Sequence, residues 1–510
     1  MKKTILYIAL SAIVALGTTS CNMEFFPYDS LEIGNGMKTY QDAASYRVSI
    51  YSPLKSFVGS LRETVEDTRS DLFNAKADFG NYYGRWHSWQ NDITDTEANS
   101  VWYSDYAIIG NVNFAIDSYT DLIDNAEALG ISDEEVVKIE MFRGEAYMVR
   151  AMAYLDLATK FCVAYDEATA DAPASGVPLP TKYEPTSDAA SYPGRTTLNE
   201  TYTRILDDIA DAELAIETLG AQNSAYFTKD AVLALRARVY LYMGQWDLAV
   251  EDALAVINSN RYALASTPEA IRMMWDGDTS SENIMRIAKN NKDQGGTTGG
   301  YYYINDQNKG DGTTPNPQYL PTKTLLDMYD KTNDMRYPVY FETHNVKAGY
   351  EKADMVVFYK FKGNPSLRTD ARWNYVHMGK PFRLAELYLI MAECLVELED
   401  QDGAEFYLNE LRKARITGFD SKKTYGSLDA LRQEVRNERV KELVGEGFRM
   451  HDLKRWGLGM TRGVSQNAAM THTAYDKVSV ESGNFRFLWP IPKSEMDANP
   501  QFKGQQNAGF

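Results

Sequence analysis

Residues 384–411 read LAELYLIMAECLVELEDQDGAEFYLNEL, and this stretch decides the fold. Leu384, Leu387 and Met391 recur three and four residues apart, which is the spacing of one apolar helix face. The polar run from Glu399 to Gly403 predicts a tight turn, and the helical spacing resumes after it. The stretch therefore predicts two antiparallel helices joined by a short turn.

A similar helix pair is predicted earlier in the chain. Ala237 and Ala249 stand twelve residues apart on either side of a turn at Gly244, and Ala392 and Ala404 have the same separation. Small residues at such places let two helices approach closely, as in tetratricopeptide repeats. The two pairs are not in tandem, and strand alternation is scarce. The fold is therefore predicted to be mainly α, with tetratricopeptide-like helix pairs forming a scaffold with long inserted loops and little β structure.

The N-terminus has the pattern of an export signal. Lys2 and Lys3 precede an apolar run from Ile5 to Leu16, and small residues lead to Cys21. The run is too short to cross a bilayer as a helix. A cysteine after such a segment resembles the lipobox of bacterial lipoproteins, in which the thiol is lipidated. We expect residues 1–20 to be a signal peptide and Cys21 to carry a lipid anchor, with ordinary secretion as the alternative.

Composition narrows the classes of partner. The formal net charge is −18, which argues against a nucleic-acid partner because such binding needs clustered Lys and Arg. After Cys21 only Cys162 and Cys394 remain, too few for a disulfide framework or a metal cluster. No break in composition marks a domain boundary. Residues 21–510 are therefore predicted to form one unit, with an N-terminal part of about 21–270 and a C-terminal part of about 271–510.

Motifs of one family are spread over the whole mature chain. The strongest is the C-terminus, where Leu488–Pro492 precedes Glu495, Asn499-Pro500 and the ending Gln506–Phe510. Further motifs are Arg383–Leu389 with Ala392-Glu393, Arg436–Gly457, Trp102-Tyr103 with Asn111 or Asn113, Gly176–Pro180 and Arg195–Thr197. Together they resemble the SusD/RagB family of outer-membrane nutrient-binding lipoproteins. Ala508 and Phe510 depart conservatively from the typical family ending.

The resemblance implies a location, a partner and a ligand class. It implies a protein of the outer membrane that is lipid-anchored through Cys21 and faces the cell exterior. It also implies a partner, a TonB-dependent, SusC-like outer-membrane channel that the protein caps like a lid. Ligands in the family are usually glycans and in some members peptides, and no member is implied to be a catalyst.

Aromatic residues make up 12% of the chain, and some of them are expected on the surface. The tryptophans predicted to pack in the core are Trp102, Trp246, Trp456 and Trp489. Those left for the surface are Trp86, Trp89, Trp275 and Trp373.

Two aromatic loop segments are the candidate ligand sites, because aromatic planes pack on the C–H faces of sugars while polar groups pair with hydroxyls. The first set is Tyr82, Tyr83, Arg85, Trp86, Trp89, Asn91 and Asp92. The second set is Tyr301, Tyr302, Tyr303 and Asn305. The alternative for both sets is that the rings pack beneath their own loops.

Catalytic and metal sites find little support in the sequence. Charges alternate at helical spacing from Arg436 to Arg449, which an ion-pair network bracing the C-terminal helices explains better than catalysis. The five histidines lack metal-ligand spacing, and there is no nucleophile elbow. Asp306, Asn308 and Asp311 could hold Ca²⁺, but their spacing misses an EF-hand loop, so no cofactor is expected.

The main hypothesis is a surface lipoprotein that binds a glycan or oligosaccharide on its aromatic loops and delivers it to a SusC-like channel for uptake. One alternative is a helical scaffold that binds peptide or protein at the outer membrane. A second alternative is a surface glycoside hydrolase, since 71 acidic residues will supply a suitably spaced carboxylate pair by chance.

Overall fold

The structure, a computed structural model, describes residues 36–295, 299–304, 315–369 and 374–510, without the side chain of Tyr301. The chain divides into two units, Met1–Lys38 and Thr39–Phe510, and the architecture below is that of the second. The predictions that lie outside the described residues concern the signal peptide 1–20, Cys21, Asn305, Asp306, Asn308, Asp311 and Trp373. The lipid anchor, the Ca²⁺ possibility and the boundary near residue 270 stay predictions.

Helices form most of the regular structure, as the sequence predicts. In chain order they are α1 (Tyr40–Tyr51), α2 (Leu54–Phe57), α3 (Leu61–Arg69), α4 (Gly84–His87), α5 (Thr96–Asp124), α6 (Ala126–Leu129), α7 (Asp133–Phe161), α8 (Leu198–Ala215), α9 (Lys229–Met243), α10 (Trp246–Asn258), α11 (Pro268–Asp276), α12 (Gly300–Tyr303), α13 (Lys323–Leu326), α14 (Tyr337–Tyr340), α15 (Leu384–Glu397), α16 (Gln401–Arg415), α17 (Leu428–Leu443), α18 (Arg449–Arg455) and α19 (Lys493–Ala498). Short 3₁₀ turns occur at Ala189–Ser191, Pro365–Leu367, Phe485–Phe487 and Pro500–Phe502. Among the described residues, no helix has the length and apolar character needed to cross a membrane.

The two predicted helix pairs are confirmed as α9–α10 and α15–α16. Ala237, Ala249, Ala392 and Ala404 are all fully buried, which lets the two helices of each pair pack closely. Gly244 ends α9 with a φ of +71°, a left-handed conformation that favours glycine. Helix α10 also packs on α15, so the two pairs lie side by side although they are far apart in sequence.

The strands are short and pair two by two. They are β1 (Phe73–Ala75), β2 (Asn283–Met285), β3 (Tyr319–Pro321), β4 (Phe341–Ala348), β5 (Glu351–Phe358), β6 (Phe382–Arg383), β7 (Met460–Thr461) and β8 (Ser479–Val480). All four pairings are antiparallel: β1 with β3, β2 with β6, β4 with β5, and β7 with β8. The longest pair, β4–β5, is a hairpin whose buried residues, among them Val346 and Val357, belong to an apolar core cluster.

The tryptophans divide differently from the sequence prediction. Trp102 and Trp489 are buried as predicted, while Trp246 and Trp456 are only partly buried. Trp275 was expected at the surface, and that prediction is wrong, because its side chain is 2% exposed. Its ring packs against Phe361 at 5.4 Å, and the ammonium of Lys360 lies 4.5 Å from the ring centre.

The alternating charges of the C-terminal motif form the predicted ion-pair network. Glu442 is fully buried and lies 3.0 Å from Arg336, 3.0 Å from Arg383 and 2.9 Å from Arg415. The three arginines hold the pKa of this carboxyl well below its usual range against the effect of burial. Arg436 differs from its neighbours, since its guanidinium lies 4.9 Å from the Trp456 ring centre. The network therefore joins α17 to residues far from it in the chain, Arg336, Arg383 and Arg415, and the residue spacing within α17 does not predict these partners.

The C-terminal family ending is also structural. The side-chain amide of Asn507 donates hydrogen bonds of 2.8 Å to the carbonyls of Phe161 and Trp489. Arg195 donates to the side-chain oxygen of Asn507 at 2.9 Å. The tail therefore joins the end of α7 to the loop that precedes α8.

Candidate functional site

The β1–β3 pair brings the two predicted ligand segments together. Ala75, the last residue of β1, is paired with Tyr319, the first residue of β3. Because the two strands are antiparallel, the end of β1 and the start of β3 lie side by side at the same end of the pair. The loop that follows β1 carries Tyr82 and Tyr83, and the segment that precedes β3 contains α12 with Tyr302. Sequence reasoning found both segments, but nothing in it predicted that they meet.

The loop after β1 has an unusual backbone. Asn81, Tyr83 and Trp89 have positive φ angles of 60°, 53° and 57°. Such conformations cost of order 1–3 kcal/mol each for residues other than glycine. The surrounding contacts hold them: the hydroxyl of Tyr319 donates to the carbonyl of Tyr82, and the Trp89 indole N–H donates to the carbonyl of Arg69 at 3.0 Å. Tyr319 is a positioning residue that sequence reasoning missed, because the three-residue strand that holds it gave no signal.

The backbone turns Trp86 and Trp89 inward, so the prediction that they are surface residues is wrong. Trp86 is 1% exposed and packs on Trp489 with ring centres 4.3 Å apart. Trp89 is 6% exposed and packs on Phe487 at 4.9 Å. In this arrangement neither ring offers a face to a ligand. Both complete the core beneath the loop, which is the alternative the sequence left open.

Two further residues of the predicted sets are also buried. Asn91 is 1% exposed, and both polar atoms of its side chain lack a partner within the described residues. Tyr303 is 1% exposed and packs between Phe73 and Phe358 at 4.8 and 5.1 Å. Consecutive residues of α12 point in different directions, so Tyr303 enters the core while Tyr302 does not.

Arg85 and Asp92 remain at the surface but are paired with each other. Each has about half of its side chain exposed, and Arg85 also lies 2.8 Å from Asp95. Hydrogen bonds from Thr94 and Arg85 hold the pKa of Asp92 below its usual value. Both groups are therefore half-exposed but already engaged in ion pairs of their own loop.

The exposed remainder is a group of three tyrosines, here called the tyrosine patch: Tyr82, Tyr83 and Tyr302. Tyr83 donates its hydroxyl hydrogen to the Tyr302 hydroxyl at 2.8 Å. The ring centre of Tyr302 lies 4.8 Å from that of Tyr83 and 6.0 Å from that of Tyr82. Tyr82 is 44% exposed, and the other two are half-buried. Burial and the neighbouring Tyr302 raise the pKa of Tyr83, so its hydroxyl stays neutral.

A cavity among the described residues lies elsewhere, between α3, α7, α9 and the segment that follows α17. Its volume is about 150 Å³, below the 300–1,000 Å³ or so of drug-sized ligand sites. Two arginines of its lining are already paired, Arg62 with Asp156 and Arg238 with Glu386. Within the described residues, no group of three or more His, Cys, Asp or Glu side chains is placed to hold a metal. The tyrosine patch is therefore the better candidate site.

Comparison with known proteins gives the family of the chain. A profile described as the SusD family matches residues 272–510, and one described as starch-binding associating with outer membrane matches residues 39–241. The chain belongs to the SusD/RagB family. This family is of a carbohydrate-binding type.

Relatives of this SusD/RagB chain match it over nearly its whole length. SusD-like protein P38 of Formosa agariphila is 22% identical, over 99% of both chains. The crystal structure of a SusD superfamily protein from Bacteroides thetaiotaomicron is 25% identical, with a TM-score of 0.74 and coverage of 92% of this chain and 99% of that one. A laminarin-binding SusD-like protein is 20% identical, with a TM-score of 0.68 and coverage of 93% and 100%. The predicted family and helical fold are confirmed.

Proposed function

We propose that this SusD/RagB protein binds an oligosaccharide or polysaccharide on the tyrosine patch at the cell surface. The observation that carries the proposal is the meeting of Tyr82, Tyr83 and Tyr302 in one partly exposed group. Tilted phenol rings suit a sugar, because they present both a face for C–H groups and partners for hydroxyls. The laminarin-binding relative supports the ligand class, and the glycan itself is not assigned.

The proposal includes delivery and location. Cys21 would carry the lipid anchor in the outer membrane, facing the cell exterior, and a TonB-dependent, SusC-like channel would receive the bound glycan. The family profile described as starch-binding associating with outer membrane supports the location. The protein acts by binding and not by hydrolysis. We expect Cys21→Ala to move the protein out of the membrane fraction, and tagged wild type to co-purify with such a channel from solubilised outer membranes.

Binding is tested with protein that starts at residue 22, against starch, laminarin and a panel of other polysaccharides and peptides by titration calorimetry. We expect one glycan to bind, and Tyr82→Ala with Tyr302→Ala to weaken it at least about tenfold. Tyr103→Ala is the matched control, since Tyr103 is a 74% exposed tyrosine on α5, outside the patch. Binding of peptides alone, or an unchanged affinity in the double variant, contradicts the proposal. Release of reducing sugar would favour a hydrolase.

A further inference from the structure

The turn between β4 and β5 carries a fully exposed aromatic residue. Ala348 is paired with Glu351, so the loop consists of Gly349 and Tyr350 alone. Gly349 has a φ of +62°, as the first position of a type II′ hairpin turn requires. Tyr350 has 105% of its reference exposure, so its whole side chain is in solvent. Turn positions are usually occupied by small or polar residues, and the hairpin itself gains nothing from this ring.

A single exposed aromatic residue is ordinary and carries no meaning by itself. The position of Tyr350 indicates a role in binding, because its turn is hydrogen-bonded to the segment that leads into the tyrosine patch. Asp78 accepts a hydrogen bond of 2.9 Å from the backbone N–H of Gly349. Lys76 donates one of 3.0 Å to the carbonyl of Lys347 and also pairs with Asp78. Two side chains of one segment therefore hold the hairpin tip.

The same segment reaches the tyrosine patch two residues later. A Cβ placed on Gly80 would lie 3.0 Å from the ring of Tyr82, so this ring covers the Gly80 backbone. Adding standard bond lengths along Gly80, Asp78 and Gly349 places the Cα of Tyr350 within about 20 Å of Gly80. Asp78, Gly80 and Asn81 are exposed along this path. The patch and the hairpin tip are thus two ends of one exposed strip, at most about 20 Å apart.

We propose that Tyr350 is a second, outlying contact for the same glycan, so that the protein favours long chains over short oligosaccharides. This inference rests on the proposed function, since it needs a glycan on the tyrosine patch. A short oligosaccharide would occupy the patch alone, whereas a longer chain would also reach the tip of the hairpin. The ring of Tyr350 would then lose solvent on one face, a contact that exists only for long ligands.

The test compares ligands of different length. The probes are the polysaccharide of the panel that binds, for example laminarin, and a series of its oligosaccharides from two units upward. We expect Tyr350→Ala to weaken binding of the polysaccharide about five- to tenfold and binding of the shortest bound oligosaccharide less than about twofold. Tyr82→Ala should weaken both. Tyr103→Ala should change neither, and since Tyr350 makes no core contact its variant should fold as wild type does.

Asp78 is a positioning residue in this scheme, and a double variant tests that role. Asp78→Ala should weaken binding of the long chain only, because the hairpin tip loses one of the two side chains that hold it. Residues that act through one contact are not additive. The variant that combines Asp78→Ala with Tyr350→Ala should therefore bind the long chain no more weakly than Tyr350→Ala.

The outcomes separate this inference from the proposed function. If no glycan of the panel binds, both fail together. If Tyr82→Ala loses binding while Tyr350→Ala binds every chain length as wild type does, only the inference about the hairpin fails. A loss that is equal for short and long chains would also overturn it, because a distant contact cannot act on a ligand too short to reach it.

Discussion

Tyr83 and Tyr302, which lie 219 residues apart in the chain, are joined hydroxyl to hydroxyl at 2.8 Å. This bond links the loop after β1 to helix α12 and fixes the tilt between the two rings. The hydroxyl oxygen of each tyrosine keeps a lone pair that can accept a hydrogen bond from a bound sugar.

Tyr83→Phe removes this link and keeps the ring. We expect the free energy of unfolding to fall by no more than about 1 kcal/mol, the usual net contribution of one hydrogen bond. Affinity for the glycan should fall about two- to fivefold, since the rings lose their fixed tilt. Calorimetric titration and urea unfolding of the same preparation measure both. An affinity equal to that of wild type would mean that the hydroxyl pair does not position the patch.

Trp86→Ala should act on stability and not on ligand contact. The ring is 1% exposed against Trp489, so its removal leaves a cavity that costs about 3–5 kcal/mol in the free energy of unfolding. Tyr82→Ala should have the opposite profile, with little loss of stability and a large loss of affinity. Urea unfolding and titration of both variants test this. A stable Trp86→Ala protein with lost glycan binding would contradict the burial of the ring.

Glu442→Ala should destabilise the protein severely. The change leaves Arg336, Arg383 and Arg415 without their shared carboxylate in the core. Removing one partner of a buried ion pair costs about 3–5 kcal/mol. Glu134→Ala is the matched control, because that glutamate is exposed and pairs only with Lys138 on the surface of α7. Equal urea midpoints for the two variants would rule out a bracing role for the network.

Asp67→Asn should change how stability depends on pH. Burial raises the pKa of Asp67 to about 8, helped by Glu66 and Glu446 and opposed by the Gly447 N–H and Lys360. The unfolded chain loses this proton near pH 4 and the folded chain keeps it until about pH 8, so stability falls as pH rises between these values. Asparagine carries no such proton and can still accept from Gly447.

The measurement is urea unfolding of wild type and Asp67→Asn at pH 5, 6.5 and 8. The difference in stability should shift in favour of the variant by up to about 1.4 kcal/mol per pH unit over this range. Titrating groups that do not interact with Asp67 cancel because both proteins share them. Parallel curves for the two proteins would show that Asp67 is ionised in the folded state.

The helix pairs could be predicted from the sequence because their signals are local. A repeat of three and four residues, a turn and buried alanines such as Ala392 and Ala404 lie within one short stretch, and helix formation depends on neighbours in the chain. The charge network was predictable for a related reason, since Glu438 and Glu442 are spaced for one helix face. Their partners Arg336 and Arg415 were not predicted, because ion pairs across the core leave no periodic trace.

The aromatic loops also combine a part that could be predicted from local sequence with a part that depends on distant contacts. The sequence alone, through its aromatic composition and its family resemblance, indicated the segments near Trp86 and Tyr302 as the place to look for a ligand. Only the tertiary structure decided which rings face outward, because Trp86 and Tyr82 belong to the same segment and differ in what lies beneath them. Trp489 covers Trp86, and β3 brings α12 against Tyr82. Burial is set by partners hundreds of residues away, which local chemistry cannot encode.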